Sequence, residues 1–166
     1  HWGIIQRIVQ AMAWVMQQEG LDVPGINAVI VGNVPLGAGL SSSAAMLVAS
    51  GLALATAGGT QVALKDLATM ARRGENECLG AKVGIMDQFT SALGQKDHAL
   101  FIDTRELTYE AVPLPASGVS IVIADTNQKR PEGNLTTWYN ERVDQCGQAV
   151  ALFQKHLPDV RALRDV

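Results

Sequence analysis

Apolar residues recur at helical spacing in several parts of the chain. The first pattern predicts an amphipathic helix over residues 3–19, with Gly20 as its C-cap. Further helices are expected over 44–57, over 61–78, from residue 86 to before 94, and after 133 through 153. The apolar positions of the first helix are Ile4, Ile5, Ile8, Ala11, Met12, Val15 and Met16. The candidate buried positions of the last helix are Leu135, Val143, Cys146, Val150 and Phe153.

Other apolar runs are short, contain β-branched residues and are bounded by turn residues, which predicts strands. Residues 26–31 form one such run after a Pro-Gly pair. Residues 98–103, 107–114 and 119–124 form three more, and the turn residues between them predict an antiparallel meander. Because helices and strands come in blocks, the expected fold class is α+β.

The composition narrows the functional classes. Hydrophobic residues make up 48% of the 166 residues, aromatic residues 5% and charged residues 17%, so small aliphatic side chains must form the core. This excludes disorder, and no apolar run reaches the roughly 18 residues of a membrane span. A net charge of −3 argues against nucleic acid as a partner, since phosphate-backbone binding needs positive charge. Cys78 and Cys146 form no zinc or disulfide pattern, which indicates a reducing cytoplasm.

The segment from Gly37 to Ser43 carries the clearest chemical signal. Gly37 and Gly39 allow positive φ angles and close approach of a ligand, and the helix that follows offers unpaired N–H groups and a positive dipole end. The three serines can cap the helix, donate to phosphate oxygens or ligate Mg²⁺. The segment fits neither the Walker A nor the dinucleotide-binding pattern. On the residues alone, phosphate binding and a simple capped turn are equal alternatives.

Two carboxylates are candidates for phosphoryl-transfer chemistry. Asp87 lies among apolar residues, and a carboxylate in that setting is either a helix N-cap or a base. Glu75 follows a mostly apolar helix pattern near Arg72 and Arg73, where an acid is usually part of a solvated helix face. Pattern alone favours the structural explanation for both residues.

The same segments resemble a known family, the GHMP small-molecule kinases. Pro35 to Ala45 is similar to the second, phosphate-binding motif of that superfamily. The galactokinase branch is indicated by Glu75 to Gly80 with Gly84 to Phe89, and by Tyr139 to Arg142 with the Cys146 that follows. The closing residues 163–166 fit the same branch.

The resemblance implies a fold and a division of the chain. Residues 1–130 would form part of the α+β, ribosomal protein S5 domain 2-like N-terminal domain that binds ATP. Residues 131–166 would form a helical segment leading into a second domain.

The resemblance also implies an activity, the transfer of the ATP γ-phosphoryl group to the C1 hydroxyl of galactose with Mg²⁺. Ser43 and Glu75 would ligate Mg²⁺, Asp87 would act as the base, and Gly84 and Tyr139 would join Asp87 in contacting the sugar. The intact enzyme would be cytoplasmic and monomeric, with ATP and galactose as its partners and no membrane or nucleic-acid partner. The residues implied to hold the ATP phosphates are Gly37, Ala38, Gly39, Leu40, Ser41, Ser42 and Ser43.

The chain departs from the family pattern in places. Cys78 stands where a phenylalanine is usual and Val83 where a cysteine is usual, and the stretch before Tyr139 is slightly long. The N-terminal motif with its arginine and the C-terminal glycine-rich motif are missing, and the chain opens without methionine. We therefore expect a segment of a longer enzyme that is inactive by itself.

Two alternatives stay open at this point. One is a non-catalytic sensor of sugar and ATP, against which the presence of Ser43, Glu75 and Asp87 argues. The other is a kinase of the same superfamily acting on arabinose, galacturonate or N-acetylgalactosamine.

Overall fold

The structure is a computed structural model that describes residues 2–35, 37–115, 117–124 and 134–166. The chain divides into two compact units, residues 1–129 and 130–166. The boundary expected at residue 130 separates two domains of the longer kinases that the chain resembles. It stays a prediction.

The first helix, α1 (Trp2–Gln18), confirms the first helical prediction. Gly20 follows the end of the helix with a φ of 75°, and Leu21 N–H donates to the Met16 carbonyl at 3.0 Å, as in a Schellman C-cap. Ile4 is exposed although it lies on the apolar stripe of the predicted helix, and burial begins at Ile8. The buried residues of α1 are Ile8, Ala11, Met12, Val15 and Met16.

Two more helices complete the main core. Helices α2 (Ser42–Ala57) and α3 (Leu64–Arg73) pack against α1 and against each other. The helix predicted over 61–78 is thus shorter at its start, and its last turn is a π-helix, Gly74–Cys78, called the π-turn below. A wider turn of this kind rotates the side chains that follow relative to the α-helical path, and it is frequent at functional sites.

A smaller core joins the fourth helix to a hairpin. Helix α4 (Met86–Leu93) buries Phe89, which meets the ring of Tyr109 edge-on at 6.2 Å between ring centroids. Strands β1 (His98–Asp103) and β2 (Thr108–Pro113) pair antiparallel, with His98 opposite Pro113 and Asp103 opposite Thr108. Helix α4 packs on α2 and α3. Since helices α1 to α4 come before a separate antiparallel hairpin, the α+β prediction is confirmed.

The strand predictions over 26–31 and 119–124 are wrong for this structure. Both segments lack strand structure, and the described part of the first unit has a two-stranded hairpin instead of a meander. A strand requires a hydrogen-bonding neighbour, and the described residues supply none to these segments. Their apolar side chains are accordingly exposed, Val29 to 92% and Val122 to 84%.

The second unit contains helix α5 (Asn134–Phe153) and a 3-10 turn, Leu163–Asp165. Val143, Cys146 and Phe153 are exposed, contrary to the predicted burial, and the Leu135 side chain lies outside the described part. One helix and one short turn provide too little surface to cover an apolar stripe. In the described ranges, no helix combines the length and the apolar character that crossing a membrane requires.

Candidate functional site

The glycine-rich loop has the backbone that its sequence predicts. Gly37 and Gly39 have φ angles of 76° and 79°, and Ser41 also adopts the left-handed conformation at 55°. Ser41 is the N-cap of α2 but makes no side-chain capping bond, so of the three roles open to the serines, capping does not apply to Ser41. The first turn of α2 carries no acidic residue, which leaves its positive dipole end open to an anion.

The Ser43 hydroxyl and the Glu75 carboxylate meet although they are 32 residues apart. Ser43 Oγ donates to Glu75 Oε1 at 2.7 Å, joining the first turn of α2 to the π-turn. Glu75 is only 8% exposed. The solvated helix face that its sequence context favours is therefore wrong. A carboxylate buried to this degree needs donors or a cation to compensate its lost hydration.

A second donor to Glu75 comes from α4. Gln88 Nε2 donates to Glu75 Oε2 at 2.7 Å, and the Gln88 side chain is 1% exposed. Sequence reasoning missed Gln88, although its spacing carries a signal. It lies three residues after Ile85 and beside Phe89, at a position where the helical period calls for an apolar side chain.

The segment before α4 is held by the π-turn. Asn76 bonds the Val83 backbone twice, donating to its carbonyl at 3.3 Å and accepting from its N–H at 3.0 Å. Arg72 Nε donates to the same carbonyl at 3.4 Å. Sequence reasoning did not single out either side chain for this role. These bonds fix the chain one residue before Gly84.

Asp87 lies in the first turn of α4 and is half-buried. The N-cap of α4 is Ile85, so the interpretation of Asp87 as the cap is wrong. Asp87 directly precedes Gln88, and the two side chains therefore leave the same turn in different directions. Gly84 is exposed immediately before this turn.

Tyr139 belongs to the second unit. Its side chain is 48% exposed on α5. It lines a surface pocket of about 490 Å³ together with Trp138, Glu141 and Arg142. The structure therefore brings together Ser43 and Glu75 within the first unit.

A surface ion-pair group flanks the π-turn. Arg73 bonds Glu77 at 3.2 Å and also pairs with Glu19 at the end of α1. The hydrogen bond that Arg73 donates to Glu77 raises the pKa of the Arg73 guanidinium above its usual value, so the guanidinium stays charged. Because these side chains are partly exposed, each pair contributes only about 0–1 kcal/mol to stability.

Near this group, burial raises the pKa of the Cys78 thiol. The Glu77 charge raises it further, and Arg73 partly opposes the shift. A pocket of about 220 Å³ lies between α1 and the π-turn beside this thiol. The pocket is lined by Arg7, Gln10, Ala11, Trp14, Cys78 and Leu79.

The chemistry of the site follows from its donor set. Ser43 and Glu75 offer hard oxygens next to a helix start suited to anions, which is the environment of a metal bound to phosphate. In the part of the chain that the structure describes, no three His, Cys, Asp or Glu side chains gather into a metal cage. Two protein oxygens suit a cation that takes its remaining ligands from water and phosphate, as Mg²⁺ does.

The chain is similar to one protein family and to individual proteins of known function. Residues 6–95 match the family described as GHMP kinases N terminal domain. A galactokinase of Roseiflexus sp. (strain RS-1) is 39% identical over 158 residues, covering 95% of this chain and 40% of that protein. The crystal structure of Lactococcus lactis galactokinase complexed with galactose matches with a TM-score of 0.85 at 29% identity. That match covers 96% of this chain and 40% of the other, so the chain spans about 40% of the length of both relatives.

Proposed function

This chain belongs to the GHMP kinase family, and from that premise we propose that it supplies the phosphate- and metal-holding part of an ATP-dependent galactose kinase. The reaction is transfer of the γ-phosphoryl group of ATP to the C1 hydroxyl of galactose. The observation that carries the proposal is the 2.7 Å contact between Ser43 and Glu75 beside the glycine-rich loop. The similarity to two galactokinases supports galactose as the sugar.

The loop from Gly37 to Ser43 is proposed to hold the ATP phosphates. The positive φ angles at Gly37 and Gly39 support this role, because left-handed residues in a turn can direct successive backbone N–H groups toward an anion. The start of α2 adds unpaired N–H groups and its dipole. Nothing described lies within 4 Å of a Cβ added at Gly37, so the loop has space for a ligand there.

Ser43 and Glu75 are proposed to hold Mg²⁺. Mg²⁺ prefers oxygen ligands and would take the rest of its ligands from water and phosphate. Ser43 Oγ and Glu75 Oε1 lie 2.7 Å apart, so both residues could hold one ion through these oxygens. When bound, the ion supplies charge neutralisation for the phosphate oxygens.

Asp87 is proposed as the base that accepts the proton of the sugar C1 hydroxyl, with Gly84 and Tyr139 contacting the sugar. The half-buried position of Asp87 outside the cap of α4 supports this role, since no capping bond ties up its carboxylate. A positioned carboxylate of this type contributes roughly 10²–10⁴-fold to a proton transfer.

The proposed partners are ATP and galactose, in a cytoplasmic and monomeric enzyme with no membrane or nucleic-acid partner. Similarity to the galactokinases supports the substrates, and the net charge of −3 fits a protein that binds phosphate by local groups. We further propose that the 166 residues alone do not turn over, because they match only 40% of either relative.

The experiment uses the protein expressed from its complete reading frame with ATP and Mg²⁺. ADP release is measured with galactose, arabinose, galacturonate, N-acetylgalactosamine or no sugar, and the product is identified by ³¹P NMR. The expected result is galactose 1-phosphate, with the highest kcat/KM on galactose. Preference for another sugar would overturn the substrate, and sugar binding without ADP release would indicate a sensor.

A further inference from the structure

Gln88 occupies an apolar position of α4 but carries an amide. Its side chain is 1% exposed, and its neighbours Ile85 and Phe89 are 2% and 0% exposed. An amide at such a position costs free energy unless both of its polar atoms are bonded. In the described residues, Gln88 Oε1 is buried and has no hydrogen-bond partner. The position therefore retains a polar group for a reason other than packing.

The orientation of the amide follows from its partner. A carboxylate only accepts hydrogen bonds, so the NH₂ group must face Glu75 and the oxygen must point away. Glu75 is thereby held at both oxygens, Oε1 by Ser43 and Oε2 by Gln88, each at 2.7 Å. Because the Gln88 NH₂ group faces Glu75, the Gln88 Oε1 atom is left without a partner among the described residues.

We propose that Gln88 is a positioning residue that fixes the Glu75 carboxylate for the metal, an inference that rests on the proposed function. A metal held by Ser43 and Glu75 would replace the hydrogen bond between them. The bond from Gln88 lies on the other carboxylate oxygen and is the one that would stay. Gln88 therefore sets the direction of Glu75 in both states of the site.

A core-filling role predicts different behaviour from a positioning role. Gln88→Met keeps the length and the buried volume but removes the donor to Glu75. Phe89→Leu is the matched control, since it changes the adjacent buried residue of the same helix, for which no hydrogen bond to Glu75 is possible. A role in packing alone would affect thermal stability in both variants and metal affinity in neither.

The test measures Mn²⁺ binding by electron paramagnetic resonance in the complete protein with the non-hydrolysable nucleotide AMP-PNP. We expect Gln88→Met to weaken Mn²⁺ binding by about 10–100-fold, the usual effect of losing an outer partner of a metal ligand, and Phe89→Leu to leave it unchanged. Wild-type Mn²⁺ affinity in Gln88→Met would overturn the proposal. Melting temperatures are recorded in parallel to separate stability from affinity.

A second measurement uses the wild-type protein and does not depend on folding of the variant. With ¹⁵N-labelled glutamine side chains, the Gln88 amide signal is expected to shift when Mg²⁺ and AMP-PNP bind together. An unchanged signal at saturation would overturn the positioning role. If the wild-type protein binds metal and nucleotide but does not phosphorylate galactose, the proposed function fails. The Mn²⁺ affinity of Gln88→Met and the Gln88 amide signal then still test the positioning role. If it binds neither, both proposals fail.

Discussion

The Ser43 hydroxyl donates to the Glu75 carboxylate at 2.7 Å, across 32 residues of sequence. This contact joins the helix start after the glycine-rich loop to the π-turn after α3. It therefore couples the two elements that the proposal assigns to phosphate and to metal.

Gly37→Ala tests the loop. The φ of 76° strains an alanine by about 1–2 kcal/mol, while nothing described within 4 Å would clash with its methyl group. Because a free loop can relax and a phosphate-bound loop cannot, the strain should appear as a roughly 5–30-fold weaker affinity for ATP. Calorimetry of AMP-PNP binding measures it. Gly25→Ala, at an ordinary φ, is the control, and equal affinities of the two variants would contradict the account.

Asp87→Ala tests the proposed base. The variant should fold normally, because Asp87 is not the cap of α4. The kcat for galactose phosphorylation should fall by about 10²–10⁴-fold, with little change in ATP affinity. Steady-state kinetics with circular dichroism as a folding check measures both. Turnover near the wild-type rate would remove Asp87 from its role.

The sequence predicts the local features of the site and misses the ones that depend on distant neighbours. The glycines of the loop carry their own conformational preference, so their positive φ angles follow from residue type. The contact of Glu75 with Gln88 depends on how α4 packs against the π-turn, which no local pattern encodes.

Dependence on distant neighbours also explains why the strand predictions over 26–31 and 119–124 are wrong. The β-branched residues of 26–31 favour extended backbone, but a strand exists only where a neighbour pairs with it. Residues 98–103 do form a strand, because the short turn after them brings 108–113 alongside. Local sequence therefore determines the hairpin and leaves the longer-range pairing undetermined.

Gly51→Ala tests the contact between α1, α2 and α3. An added methyl group would lie 2.7 Å from Leu67 Cδ1 and closer still to Met12 Cε, and both side chains are fully buried. Overpacking costs about 1–3 kcal/mol, and better helix propensity returns up to about 1 kcal/mol. The melting temperature should fall by about 2–8 °C. Gly3→Ala is the control, because nothing described lies within 4 Å of its methyl group, and it should not lower the melting temperature. Equal melting temperatures of Gly51→Ala and Gly3→Ala would contradict the packing around Gly51.

Cys78 provides a pH-dependent test. Burial raises the pKa of its thiol, so at a given pH a smaller fraction is thiolate than in a free cysteine. Alkylation by iodoacetamide should therefore reach half its maximal rate at a higher pH than in a cysteine-containing control peptide. A Cys146→Ser background isolates the signal. A profile at or below that of the peptide would refute the predicted direction.

The most direct test of the metal-holding pair is a double-mutant cycle on galactose phosphorylation in the complete protein, with Ser43→Ala, Glu75→Gln and both together. Each single change should lower kcat/KM at limiting Mg²⁺ by about 10-fold or more, and the exposed Asp66→Asn serves as a control acid-to-amide change. If both side chains hold one ion, the double variant should lose less than the product of the two single losses, because the first change already removes the shared interaction. Losses that multiply, or a Glu75→Gln enzyme with the wild-type Mg²⁺ dependence, would contradict the central claim.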